Sequence, residues 1–245
     1  MSIFAIYTLL IGSLSFISAV SSISCKFNVK AKQALLNEGF HRNITYRIVF
    51  NSENDKDRWL YEDCMVSLEQ TLPPGVFANP DELGELRRTH RLNAIPKNRV
   101  NVELPASQSQ PSTVFVMGSV VQSKVSLWLP VHARYHHAKS GGGTQRNRID
   151  PPRLFLRCAD RRLELCARAP SASFLCNGSS RENCSWMLVP FLSLTDSLIW
   201  DVPVGNSDSY YMVAIGTAFV IFIGATHLLK AIHEYKLRAR MKRTS

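Results

Sequence analysis

The sequence predicts an all-β fold: a luminal, antiparallel β-sandwich-like domain with one short helix, followed by a single C-terminal transmembrane helix. Three observations carry this. Short β-branched or aromatic runs recur through residues 25–209, clusters of Pro, Gly and Asn separate them, and an uncharged apolar stretch of membrane-spanning length follows.

Taken in chain order, Ile3 to Val20 is apolar or small and gives way to Ser21, Ser22 and Ser24 before Cys25, the pattern of a secretory signal peptide over residues 1–24. Ile44, Tyr46, Ile48 and Phe50 alternate with Thr45, Arg47 and Val49, which marks a half-buried strand. Val114 to Met117, Lys124 to Val131, Arg153 to Cys158, Arg162 to Cys166 and Trp186 to Leu194 add further strands. Pro73-Pro74-Gly75, Asn79-Pro80, Ser140 to Gly143 and Pro151-Pro152 supply the turns. Pro80 to Arg91 reads as the one short helix, with Asp81 and Glu82 early and the arginines late, as the helix dipole favours.

Tyr210 to Leu229 contains no Asp, Glu, Lys or Arg, and a helix of that length crosses the hydrocarbon core. Residues 230–245 form a basic tail, with Lys230, Lys236, Arg238, Arg240, Lys242 and Arg243 against Glu234. The positive-inside rule puts this tail in the cytosol and residues 25–209 in the lumen. The tail holds half of the formal net charge of +10, so the basic balance reflects membrane topology rather than a nucleic-acid partner. Arg87, Arg88 and Arg91 cluster without any aromatic platform for bases.

Six cysteines, Cys25, Cys64, Cys158, Cys166, Cys176 and Cys184, all fall on the luminal side and predict up to three disulfides, with the pairing open. No Cys-x-x-Cys unit suggests a zinc site. The sequons at Asn43, Asn177 and Asn183 fall on the same side and predict N-glycosylation.

Little in the chain suggests catalysis. Asp55-Lys56-Asp57 has the spacing with which many glycosyltransferases hold a metal and a sugar nucleotide, but it sits in a polar loop without an α/β pattern around it. His132, His136 and His137 are close in sequence, and on a strand His132 and His136 would share a face; structural hydrogen bonding is the favoured role over metal binding or base catalysis. Serine hydrolase, P-loop and Rossmann fingerprints are absent. The expectation is a protein that is no enzyme and carries no cofactor or metal. Lys242 and Arg243, fourth and third from the C-terminus, match a dibasic retrieval signal of the endoplasmic reticulum. The same signal admits an alternative function, a luminal cargo receptor or adaptor that recycles by its tail.

Two stretches together resemble the PIG-X family, the small subunit of glycosylphosphatidylinositol mannosyltransferase I. The first is Leu72-Pro73-Pro74-Gly75-Val76-Phe77-Ala78-Asn79-Pro80-Asp81-Glu82-Leu83; the second is Leu129 to His136, with Pro130, His132, Arg134, Tyr135 and His136 in the family's positions. Pro151, Pro152, Leu154, Cys158 and Val202-Pro203-Val204-Gly205 extend the similarity toward the span. The resemblance implies a single-pass type I glycoprotein of the endoplasmic-reticulum membrane. Such a subunit binds and stabilises a multi-spanning catalytic subunit, PIG-M, which adds the first mannose from dolichol-phosphate mannose. It also implies that the catalytic residues lie on that partner.

Overall fold

A computed structural model describes residues 25, 27–51, 60–166, 170–179 and 182–244. The expected signal peptide and the Asp55-Lys56-Asp57 loop lie outside these residues.

Two sheets face each other across one apolar core. The first follows the order β12 (Leu192–Ser193), β1 (Asn28–Leu36), β2 (His41–Asn51), β7 (Lys124–Ala133) and β4 (Val76–Phe77). The second follows β10 (Ser171–Leu175), β11 (Asn183–Leu188), β9 (Arg153–Arg157), β3 (Met65–Leu72), β6 (Ser112–Ser119) and β5 (Asn93–Pro96). A pair formed by β8 (Gly143–Ile149) and β13 (Leu198–Val204) closes one side. All pairings are antiparallel except a two-residue parallel contact of β12 with β1.

Alternation explains which side chains go inward, because successive residues of a strand point to opposite faces. Ile44, Tyr46, Ile48 and Phe50 of β2, as expected, and Val125, Leu127, Leu129 and Val131 of β7 meet Val66, Leu68, Val114, Val116, Leu154 and Leu156 of the facing sheet. Trp200 and Val202 of β13 and Ile149 of β8 complete this core. One polar chain crosses it: the buried Tyr46 hydroxyl donates to Gln70 Oε1 at 2.9 Å, and the Gln70 amide donates to the Asp150 carbonyl at 3.0 Å. Burial pushes the Tyr46 phenol well above its ordinary value.

The second sheet is covered on its outer face too. The β10–β11 hairpin folds back so that Phe174 stacks between Phe115, at 4.3 Å, and Trp186, at 4.9 Å, above a small cluster of Ile95, Met117 and Phe155. Glu69 is buried on this face between Lys97 at 3.1 Å and Arg153. Such a carboxylate is tolerated inside only with its cations beside it.

Three disulfides settle the open pairing: Cys25–Cys166, Cys64–Cys158 and Cys176–Cys184. The first ties the start of β1 to the loop after β9, the second joins the head of β3 to the end of β9, and the third closes the β10–β11 hairpin. Two expected strands are corrected: Trp186 to Leu194 divides into the end of β11 and β12, which lie in different sheets, and Arg162–Leu165 is a single 3-10 turn. Arg161 before it holds a left-handed φ of 58°, which breaks the extended path.

Helix α1 spans Pro80–Arg88, three residues shorter than expected. Asn79 caps it by accepting from the Asp81 N–H at 3.0 Å, and Pro80 stands in the first turn, where no N–H is required. The only large residue of α1 that is fully buried is Leu83, which pins the helix to the core. Helix α2 runs through Tyr210–Thr244, well past the expected end of the span at Leu229. Its apolar part is entirely exposed: Val213, Ile215, Phe219, Ile221, Phe222 and Leu228 touch no other part of the chain's core. A helix this long, apolar and uncovered is suited to a bilayer, and poorly suited to water.

Candidate functional site

The two sequence motifs, about fifty residues apart, are built against each other. Leu72 ends β3 inside the core, Pro73-Pro74-Gly75 turns the chain, and β4 then pairs with the end of β7, Val76 opposite Ala133 and Phe77 opposite His132. The Arg134 N–H donates to the Gly75 carbonyl at 2.8 Å and extends this pairing. Gly75 has no room for a side chain, since a Cβ would lie 1.9 Å from Asn147 Oδ1 and 2.8 Å from the His136 ring. The turn thus draws the first motif, the second motif and β8 together.

Arg134 organises the interior of this junction. Its guanidinium donates to the carbonyls of Leu104 at 2.7 Å, Asn101 at 2.8 Å and Val102 at 3.3 Å, and lies 4.4 Å from the Phe77 ring centroid. The residue is only 6% exposed, and burial lowers its pKa from the ordinary arginine value. Three carbonyls and an aromatic face are an environment that a fixed planar cation satisfies and a lysine does not.

The three histidines take three separate partners. His132, in β7, places Nε2 2.7 Å from Glu82 Oε2; His137 places Nε2 2.7 Å from the Ser107 hydroxyl; and His136 accepts from the Asn147 amide at 3.3 Å. Strand β7 ends at Ala133, so His132 and His136 do not share a strand face, and they do not form one ligand set. Burial lowers the His136 pKa. A residue the motifs did not include completes the picture. His41, at the start of β2, stacks against His132 with ring centroids 4.2 Å apart and reaches Glu82 Oε1 at 3.4 Å. The only sequence signal for it was its position immediately before the alternating strand.

Beside this cluster the surface is aromatic. Phe40 is 39% exposed and Tyr135 79% exposed, and their rings contact each other at 5.7 Å. Both precede or follow a strand end, so no neighbouring strand covers them.

The same edge roots α2. Lys139 donates its N–H to the Gly205 carbonyl and accepts from the Ser207 N–H, both at 3.0 Å. The Ser140 hydroxyl and the Gly141 N–H donate to the Asp208 carboxylate at 3.0 and 2.9 Å. Lys139 follows His132 by seven positions, so the motif cluster lies within about 25 Å of the segment that leads into the apolar helix. The Val202-Pro203-Val204-Gly205 stretch singled out in the sequence is the end of β13 that enters this joint.

No constellation for catalysis accompanies these residues among the described ones. A groove of about 580 Å³ on the outer face of β1, β2 and β7 is lined by Lys32, Leu36, Asn43, Arg47 and Trp128, without paired carboxylates or a nucleophile beside a base. Of the sequon asparagines, Asn43 is half-buried in β2, while Asn177 and Asn183 are exposed at the tip of the β10–β11 hairpin. Lys242 and Arg243 lie in the last turn of α2.

Comparison with known proteins finds similar chains. A family model described as PIG-X / PBN1 matches residues 37–233, which include both motifs and most of α2. A mouse (Mus musculus) protein named GPI alpha-1,4-mannosyltransferase I, stabilizing subunit, is 27% identical over 210 residues, covering 83% of this chain and 81% of its own length. The human (Homo sapiens) protein of the same name is 26% identical, covering 83% and 80%.

Proposed function

Because the chain belongs to the PIG-X / PBN1 family, we propose that it is a non-catalytic subunit that binds and stabilises a multi-spanning, PIG-M-like mannosyltransferase of glycosylphosphatidylinositol anchor synthesis. In this reading the partner adds the first mannose from dolichol-phosphate mannose, and this chain supplies no catalytic residue. It resides in the endoplasmic-reticulum membrane as a single-pass type I protein. Residues 1–24 are its signal peptide, 25–209 its luminal domain, 210–229 its span and 230–245 its cytosolic tail. The three sequon asparagines carry glycans, and Lys242 and Arg243 contribute to retention.

One observation carries the proposal: the two family motifs converge on the edge of the domain that roots the apolar helix, and they leave Phe40 and Tyr135 exposed there. A partner embedded in the same bilayer meets that edge first. Exposed aromatics with restricted rotamers are the residues that most often anchor a protein interface. The disulfides support a luminal placement, since they persist in oxidising compartments.

The test is complementation of a cell line lacking the gene. The wild-type chain restores the abundance of the catalytic subunit and the surface level of anchored proteins. The F40A/Y135A variant, expressed at the same level, restores both severalfold less. Full restoration by that variant would displace the docking surface, and unchanged catalytic-subunit abundance after gene loss would displace the function itself.

A further inference from the structure

Three side chains from three elements converge at the junction of the motifs. His41 opens β2, Glu82 lies in the first turn of α1, and His132 lies near the end of β7. One ligating atom from each lies within 4.8 Å of the others. Both imidazoles aim Nε2 at the one carboxylate, and each faces a different oxygen: His41 faces Oε1 at 3.4 Å and His132 faces Oε2 at 2.7 Å. The two rings lie 4.2 Å apart, tilted by 31°, and both Nε2 atoms reach the same carboxylate.

The geometry points to a divalent zinc site formed by His41, His132 and Glu82. Two imidazoles and one carboxylate are a donor set that zinc adopts in open sites, with a fourth position left for water or another ligand. Bonds of about 2.0–2.2 Å at tetrahedral angles place ligand atoms about 3.3–3.5 Å apart. The carboxylate meets the two imidazoles through different oxygens, at 3.4 and 2.7 Å, and one ligand atom from each residue lies within 4.8 Å of the others, so shifts of about 1 Å bring the three to that spacing. Calcium and magnesium fit poorly, because they require mainly oxygen ligands and one carboxylate is all the cluster offers.

The surroundings suit the ion as well. The Phe77 ring stacks on His132 at 5.2 Å and walls one side. Arg134, the neighbouring cation, lies against Phe77 and is turned toward its three backbone carbonyls, away from an open surface. Side-chain exposures of 57% for His41, 28% for Glu82 and 23% for His132 leave the cluster within reach of solvent. Glu82 is held by the Asn79 cap and the Leu83 anchor, and the histidines by cross-strand pairing of β2 with β7, so zinc would clamp α1 to the sheet edge without rebuilding it.

The experiment uses the full-length chain, purified in detergent without a polyhistidine tag, stripped with EDTA and titrated with zinc sulfate. The expected result is one equivalent of zinc retained through gel filtration, with a rise in Tm on zinc addition. H41A and E82Q each weaken zinc binding by at least about tenfold and abolish the Tm rise, whereas H137A keeps both. His41 is more than half exposed, so H41A is expected to keep its fold; H41Q, which preserves size and polarity, is read in the same way. Failure of the wild-type chain to retain zinc, or undiminished binding by both His41 variants, would overturn the site and leave only a histidine–carboxylate hydrogen-bond pair.

Discussion

Arg134 acts on this protein through the carbonyls it satisfies. Replacing it with Ala leaves three part-buried carbonyls without this donor and empties the space over Phe77, and should cost about 1–3 kcal/mol in denaturant unfolding of the purified chain. R134K keeps the charge yet cannot span the carbonyls, and should fall between. His136 supplies a pH signature. Burial holds its folded pKa below the unfolded value of about 6.5, and its ring nitrogen accepts from the Asn147 amide. The unfolded chain then binds more protons in the window below 6.5. The histidine's contribution is complete above that value and is lost as pH falls through the window. H136N should flatten the decline of Tm between about pH 6.5 and pH 5 relative to wild type. At this scale the sequence was legible where residues belonged to a motif, as for Glu82, His132 and Arg134. It was silent on His41 and Phe40, whose importance arises only when β2 is laid beside β7.

Among the elements, legibility followed alternation. Strand β2 was readable because its inward positions are apolar and its outward ones are mostly not. Strand β3 was not, because both of its faces are covered: Ser67, Glu69 and Gln70 are buried among apolar neighbours, which erases both the period and the apolar run. Strand β8 turns only Asn147 and Ile149 inward and otherwise reads as a polar loop. Disulfide pairing was equally beyond the sequence, since it depends on which strand ends meet. The loops they close differ greatly, with separations of 94 residues for Cys64–Cys158 and 8 for Cys176–Cys184. On loop-closure entropy alone, C64A/C158A should lose about 4–5 kcal/mol and C176A/C184A about 2.5 kcal/mol, a contrast measurable by urea unfolding. Near-equal losses would mean that packing of the small hairpin over Phe115 and Trp186 matters more than chain entropy.

For the molecule as a whole, composition disclosed the sandwich and the apolar helix, because strand-forming runs, turn clusters and a charge-free stretch are local properties. How the two are joined was not disclosed. From Gly205 to Ser209 only five residues connect β13 to α2, and Lys139, Ser140 and Gly141 bind this connection from the side. Inserting a ten-residue Gly-Ser spacer after Gly205 should leave the Tm of the domain nearly unchanged, because the core is untouched. The same insertion should sharply reduce the abundance of the catalytic partner in the complementation assay. Equal rescue by the spacer variant would show that the joint has no role beyond connection. The joint has a mechanical meaning: a domain on a loose tether samples a hemisphere of orientations above the bilayer, whereas this one is splinted to its post. In the proposed function, this joint restricts the height and azimuth at which a partner's loop at the membrane surface engages the domain.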